Sequence, residues 1–123
     1  MGKISIAIAG IGNCASALIQ GLSYYPKSNR KFVPGLMHHK LGGYSLQNIK
    51  IVAAFDIDRR KVGQPLKQAI FALPNCTTTI TKNIINSRLL IHMGPILDGV
   101  APHMADLPPD KSFLPSGKKP VDV

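Results

Sequence analysis

The stretch Lys3-Ile4-Ser5-Ile6-Ala7-Ile8-Ala9-Gly10-Ile11-Gly12-Asn13-Cys14-Ala15 decides the fold. Up to Ala9 it is apolar on both faces except at Ser5, the pattern of a buried parallel strand. A glycine turn follows at once. Cys14–Tyr25 then has helical spacing: Cys14, Leu18 and Leu22 fall four apart, while Ala15, Ala17 and Gly21 keep one side thin. Asn13 is the expected N-cap and Pro26 the stop. Strand, glycine turn and thin-faced helix together predict the opening βαβ unit of a Rossmann-like α/β fold with a parallel sheet.

The turn satisfies G-x-G-x-x-G/A in the strand–turn–helix context that gives this spacing its meaning. A dinucleotide's pyrophosphate needs backbone N–H donors and a positive helix end, with nothing bulky between. Gly10 permits the tight turn, Gly12 lets a cofactor approach the backbone, and Ala15 is the small residue where helix and strand must pack closely.

Working outward, Ile49–Phe55 reads as the second strand and ends at Asp56. An acid at that place accepts hydrogen bonds from an adenosine ribose and favours NAD over NADP, because it repels a ribose phosphate. Asp56 lies well beyond the usual ~20 residues from the turn, and an inserted loop over 27–48 accounts for the excess. Two alternatives stay open: Asp56 capping the next turn, and Arg59 or Arg60 reaching a phosphate. Asp58 is an alternate or supporting acid.

The rest is read more coarsely. Pro34-Gly35 and Gly42-Gly43 mark turns in the inserted loop, and His38-His39, with no Cys, Asp or Glu nearby, read as surface or packing residues. Pro65 opens a short helix through Phe71 with Leu66, Ala69 and Ile70 inward. Asn75–Thr81 is a polar loop, and Arg88–Met93 is a third strand closed by Gly94-Pro95. Gly94-Pro95-Ile96-Leu97-Asp98-Gly99 then turns at the cofactor-facing edge of the sheet, and a short helix runs to about Asp106. From Leu107 on, Pro108, Pro109, Pro115 and Pro120 mark a linker or frayed end. The expected organisation is a nucleotide-binding portion over 1–106 and a Pro-rich tail over 107–123.

Fifteen Lys and Arg face six acids, all Asp, and the pI is near 9.9. Such a balance makes nucleic acid a partner to weigh. The basic residues are scattered, however, apart from Arg59-Arg60-Lys61 and Lys118-Lys119, and neither an RNA-binding aromatic signature nor zinc-finger spacing is present. Nucleic acid is not the expected partner. No apolar run approaches the ~18–20 residues of a membrane span, so a cytoplasmic protein is the default. Cys14 and Cys76 make neither a disulfide framework nor a metal site, and Cys14 reads as a small residue packed near the turn.

Several segments together resemble the amino-terminal part of the inositol-3-phosphate synthase (myo-inositol-phosphate synthase) family in its actinobacterial-type form. They are Gly10 to Ser16, Val33 to His38, Val52 to Asp58 with Lys61-Val62-Gly63, Gly94 to Gly99, and Pro120 to Val123. The resemblance implies an NAD-dependent isomerase that converts glucose 6-phosphate to inositol 3-phosphate by internal oxidation, aldol cyclisation and reduction. It further implies a homotetramer whose catalytic lysines lie in a later domain. The implied cofactor-binding residues are Gly10, Ile11, Gly12, Asn13, Cys14, Ala15, Asp56, Gly94 and Asp98. None is expected to carry the chemical step, and none to bind a metal. Two departures stand out: Ile96 occupies a position where the family usually has Thr, and the chain stops at Val123, where the family's next helix begins. On this reading the chain is the incomplete, first half of the nucleotide-binding domain and inactive by itself. A stand-alone, non-catalytic nucleotide-binding or regulatory module is the competing reading.

Overall fold

The computed structural model describes residues 2–27 and 32–122. Strand β1 (Ile4–Ala9) leads through the glycine turn into helix α1 (Asn13–Tyr24). Strand β2 (Ile49–Asp56), the short helix α2 (Leu66–Ala69) and strand β3 (His92–Met93) follow. The three strands are parallel, in the order β1-β2-β3. This is half of a doubly wound sheet, as expected.

One core lies on one face of that sheet. Ile11, Ala15, Ile19 and Leu22 pack against Ile51 and Ala54 of β2, with Leu66, Ala69 and Ile70 around α2 and Ile84 and Ile91 beyond. Burial at roughly 25 cal/mol per Å² of apolar surface makes this cluster the main stabilising term. Among the described residues nothing covers the opposite face: Ser5, Ala7 and Ala9 of β1 and Lys50 and Val52 of β2 are exposed. The expectation that β1 is covered on both faces is therefore corrected, because both helices contribute to the same core and β1 pairs with β2 alone. Pairing of β1 and β2 skips Val52, since Ile6 faces Ile51 and Ala7 faces Ala53.

Helix α1 also differs from its reading. Its N-cap is Gly12, and Asn13 is already helical. The buried side is Ala15, Ile19 and Leu22 together with Ser16, Gln20 and Ser23, whereas Cys14 is exposed and Leu18 is half-exposed. The polar residues are buried because they hold an irregular neighbour. The Gln20 carboxamide accepts from the Ile80 amide at 2.6 Å and donates to Thr78 O at 3.2 Å, and Ser23 Oγ accepts from the Ile85 amide at 3.0 Å. A loop cannot satisfy its own backbone as a strand does, so it recruits side chains.

The third strand shrinks to two residues for a related reason. Residues 89–91 spend their backbone groups on the turn before α2: Leu66 N donates to Leu89 O, Gly63 N to Ile91 O, and Ile91 N to Gln64 O. Where β3 is missing beside β2, Asn86 Oδ1 accepts from the Ile51 amide.

Of the inserted segment 27–48, residues 28–31 lie outside the described residues. The remainder forms a turn at Pro34-Gly35, a tight reversal joining Leu41 to Tyr44, and a single 3-10 turn, Leu46–Asn48. Asp98-Gly99 leads to a 3-10 turn, Pro102–Asp106. The tail is docked rather than frayed. Arg59 N donates to Leu114 O, Ser116 N to Ile57 O, and Val121 N to Met93 O.

Candidate cofactor site

The carboxyl ends of β1, β2 and β3 meet at a cavity of about 590 Å³. Ala9, Gly10 and Gly12 form one wall, Phe55, Asp56 and Ile57 the next, and Gly94, Pro95, Leu97 and Gly99 a third. Phe113 and Val121 of the tail close it, and Lys61 completes the lining. Open parallel sheets bind ligands in such a crevice, outside the carboxyl ends of their strands.

Gly10 has φ +90° and donates its amide to Phe55 O at 2.8 Å. That left-handed conformation favours glycine, and it bends the chain off β1 and over the end of β2. Gly12 is different. Its φ of −89° suits any residue, and a Cβ built on it meets nothing within 4 Å. Neither backbone conformation nor protein packing requires glycine there. What a side chain would occupy is the space in front of α1, whose first-turn amides, from Asn13 to Ala15, have no carbonyl within the helix to bond. Ala15 is buried against the core, the packing role expected of the third small position.

Asp56 has a heavier structural role than an acid free to meet a ribose. Its Oδ2 accepts from the Ile11 amide at 2.7 Å, and its Oδ1 accepts from the amides of Ile57 at 2.7 Å and Asp58 at 2.8 Å. The carboxylate thus ties the glycine turn to the end of β2 and caps the turn that follows. A carboxylate offers about four acceptor directions, so one at Oδ2 is left beside the cavity.

The other expected contacts divide. Gly94 is buried, bonds to Asp56 O through its amide and lines the cavity. Asp98 is exposed; Leu97 and Gly99, on either side of it, line the cavity, and Asp98 does not. Asn13 holds the 76–77 loop: its Oδ1 accepts from the Cys76 amide and from Thr77 Oγ1, each at 2.8 Å. Ile11, Asn13, Cys14 and Ala15 do not line the cavity.

Asp58 is fully buried and pairs with Arg60, Nη2 to Oδ2 at 2.6 Å. Burial, the largest single influence, raises the Asp58 pKa, but the Arg60 guanidinium and the amides of Leu114 and Arg60 together outweigh it and hold the pKa below the ordinary value. Arg60 also donates to Pro109 O and Ser112 O, so it fastens the tail. Its hydrogen bond to Asp58 keeps its own pKa raised. The Arg60 guanidinium is thus engaged on Asp58 and the tail, and Arg60 does not line the cavity.

Sequence reasoning missed Lys61. A basic residue in an Arg-Arg-Lys run reads as solvated, yet Lys61 is fully buried. Its Nζ donates to Ile11 O and to Asn75 Oδ1, each at 2.8 Å. Burial lowers its pKa, opposed by the nearby carboxylates of Asp56 and Asp58. Of Arg59-Arg60-Lys61 only Arg59 is exposed, so the run is no nucleic-acid footprint. Among the described residues, no three His, Cys, Asp or Glu group to hold a metal ion, and no helix is long and apolar enough to cross a membrane.

No family model matches the chain. Curated relatives do. Inositol-3-phosphate synthase of Mycolicibacterium smegmatis is 43% identical over 99% of this chain and 32% of its own length. That of Corynebacterium glutamicum is 46% identical over 98% of this chain and 32% of its own length. Among solved structures, the crystal structure of Ari2 superposes on 78% of this chain and 29% of its own, with TM-score 0.67 and 30% identity. A myo-inositol-1-phosphate synthase-related protein from Thermotoga maritima covers 94% of this chain and 26% of its own at TM-score 0.55 and 23% identity, a likeness of fold. The chain is thus a relative of the inositol-3-phosphate synthases over nearly its whole length, and it spans about a third of theirs.

Proposed function

We propose that this chain is the NAD-binding part of an inositol-3-phosphate synthase. In the whole protein, a cytoplasmic homo-oligomer, glucose 6-phosphate would be the substrate and inositol 3-phosphate the product. Bound NAD would supply a hydride acceptor that is regenerated within each turnover. The residues of this chain bind and orient it. The Gly12 amide and those of the first turn of α1 would face the pyrophosphate, and Asp56 keeps one acceptor direction for a ribose hydroxyl. The apolar walls Ile57, Leu97, Phe113 and Val121 exclude water from the adenosine end. Gly94 lets the chain after β3 come close. The reading further assigns Asn13, Cys14 and Ala15 to the cofactor through their backbone amides, and Asp98 through the loop that it shares with Leu97 and Gly99. Ile11, its amide held by Asp56 and its carbonyl by Lys61 and Asn75, shapes the turn instead of donating to the cofactor.

The observation that carries this reading is Gly12, a glycine that the protein's own conformation and packing do not require, set in front of open helix amides. The test is calorimetric titration of NAD into the chain and into Gly12→Ala. Alanine is worse than glycine at an N-cap but restricts the unfolded chain, and these effects of roughly 0.5–1 kcal/mol offset. The expected result is unchanged thermal stability with NAD affinity reduced at least tenfold. Equal NAD affinity in the two proteins would refute the assignment.

A further inference from the structure

Ile11 is gripped at both ends. Its amide is held by Asp56 Oδ2 at 2.7 Å, and its carbonyl accepts from Lys61 Nζ at 2.8 Å and from Asn75 Nδ2 at 3.0 Å. Asn75 is itself anchored on Ile70 O at 3.0 Å and accepts from Lys61 through Oδ1. The peptide joining Ile11 to Gly12 is planar and trans, so its N–H points opposite to its C=O. Drawing Ile11 O inward onto Lys61 and Asn75 therefore turns the Gly12 N–H away from them, and Gly12 itself lines the cavity.

A buried ammonium is an expensive way to fix one carbonyl. A neutral donor already reaches the same oxygen from Asn75, and burial of a charge costs far more than a hydrogen bond returns. The carboxylates of Asp56 and Asp58 lie near Lys61, but among the described residues neither forms a salt bridge with it. The charge is useful if an anion lies across the turn. An ammonium on the carbonyl polarises the peptide and strengthens its N–H as a donor. Its field also falls on the space before α1, added to that of the helix end.

We propose that Lys61 is a positioning residue for a diphosphate: a buried cation behind the glycine turn that aims the Gly12 amide and adds its charge to the site. This rests on the NAD-binding reading above and deepens it. Lys61 reaches the cavity lining yet is fully buried, its ammonium spent on Ile11 O and Asn75 Oδ1, and it acts through the peptide of Ile11 and Gly12.

The experiment titrates three probes, NAD, ADP and adenosine, into the 123-residue chain and into Lys61→Met. Loss of one charge-assisted hydrogen bond in the anion site corresponds to roughly tenfold to a hundredfold in affinity. That loss is expected for NAD and ADP, which carry the diphosphate. Adenosine, which has the same base and ribose but no phosphate, should bind Lys61→Met and the parent chain within about threefold. A residue that merely props up the fold would weaken all three probes alike, and that outcome overturns the proposal, as does undiminished ADP binding. Should Lys61→Met fail to fold, Asn75→Ala decides. It keeps the ammonium but removes its partner and the second donor to Ile11 O, and the same phosphate-dependent loss is expected in smaller measure. Equal effects on ADP and adenosine there would overturn the proposal. If the parent chain binds neither NAD nor ADP, the cofactor reading itself fails; if it binds both and the variants do not discriminate, Lys61 alone is wrongly placed.

Discussion

Replacing Asp58 by Ala should release the tail from the cavity that it helps to enclose. The carboxylate is fully buried and accepts four hydrogen bonds: from Arg60 N at 2.8 Å, Arg60 Nε at 2.9 Å, Arg60 Nη2 at 2.6 Å and Leu114 N at 3.0 Å. Arg60 carries the connection onward to Ser112 O and Pro109 O. Removing one partner of a buried pair costs about 3–5 kcal/mol, because the other charge is left uncompensated. The Arg60 side chain is 19% exposed and keeps two carbonyl partners, which points to the lower end, about 3 kcal/mol. For a chain of this length a total stability of about 6–18 kcal/mol is ordinary, so the loss is large but survivable. It raises the unfolding constant roughly a hundredfold. Urea denaturation followed by circular dichroism measures it, and amide exchange at Arg59, Leu114 and Ser116 shows where it falls. The pH dependence has a fixed sign. Since the folded pKa of Asp58 lies below its ordinary value, its contribution is complete above about pH 4 and is lost as pH falls through the folded pKa. The penalty of Asp58→Ala should therefore be full at pH 7 and shrink under acid. A penalty below about 0.5 kcal/mol at pH 7, or unchanged exchange at Leu114 and Ser116, would refute the latch.

Two further outcomes follow from the same contacts. Asp56→Ala strands three backbone amides at the turn, so stability should fall by about 1–3 kcal/mol along with NAD affinity; a variant with full stability in urea would show that Asp56 does not hold the turn. Leu22→Ala should cost about 2–5 kcal/mol as a core truncation, and Leu18→Ala less than about 1 kcal/mol, since Leu18 is 49% exposed and Leu22 only 2%. The reverse ranking in denaturant melts would restore the stripe Cys14, Leu18 and Leu22 as the buried side of α1.

What the sequence made legible was local. The strand, turn and helix from Ile4 to Tyr24 are contiguous, and their geometry is set by neighbours in the chain. The run ending at Asp56 announces β2 by its apolar length, and Pro65 announces α2 with Leu66, Ala69 and Ile70 inward. What failed depends on partners far along the chain. Ser16, Gln20 and Ser23 look like the solvent side of a helix until the segment ending near Ile85 is laid on them. The prolines after Leu107 suggest a loose end, yet Arg60 and the backbone of Ile57 and Arg59 fix the tail. Lys61 sits in a basic run, and no rule of periodicity sends its ammonium under Ile11.

These distant partners also bear on how the proposed site, with few polar side chains in its lining, would recognise a cofactor. On the proposed reading, peptide N–H groups are what the crevice offers an anion, and a peptide presents no chemistry of its own choosing. Its direction is the variable. Asp56 fixes one end of Ile11, Lys61 and Asn75 fix the other, and Gly10, at positive φ, makes the bend that precedes them. Each of these side chains comes from a different segment, so the turn is aimed only when β2, the 58–63 turn and the 70–76 loop are all in place. Cofactor affinity should therefore report on the assembly of this half-sheet as a whole, and loss of the glycine turn's support should be felt at the ligand before it is felt in the core.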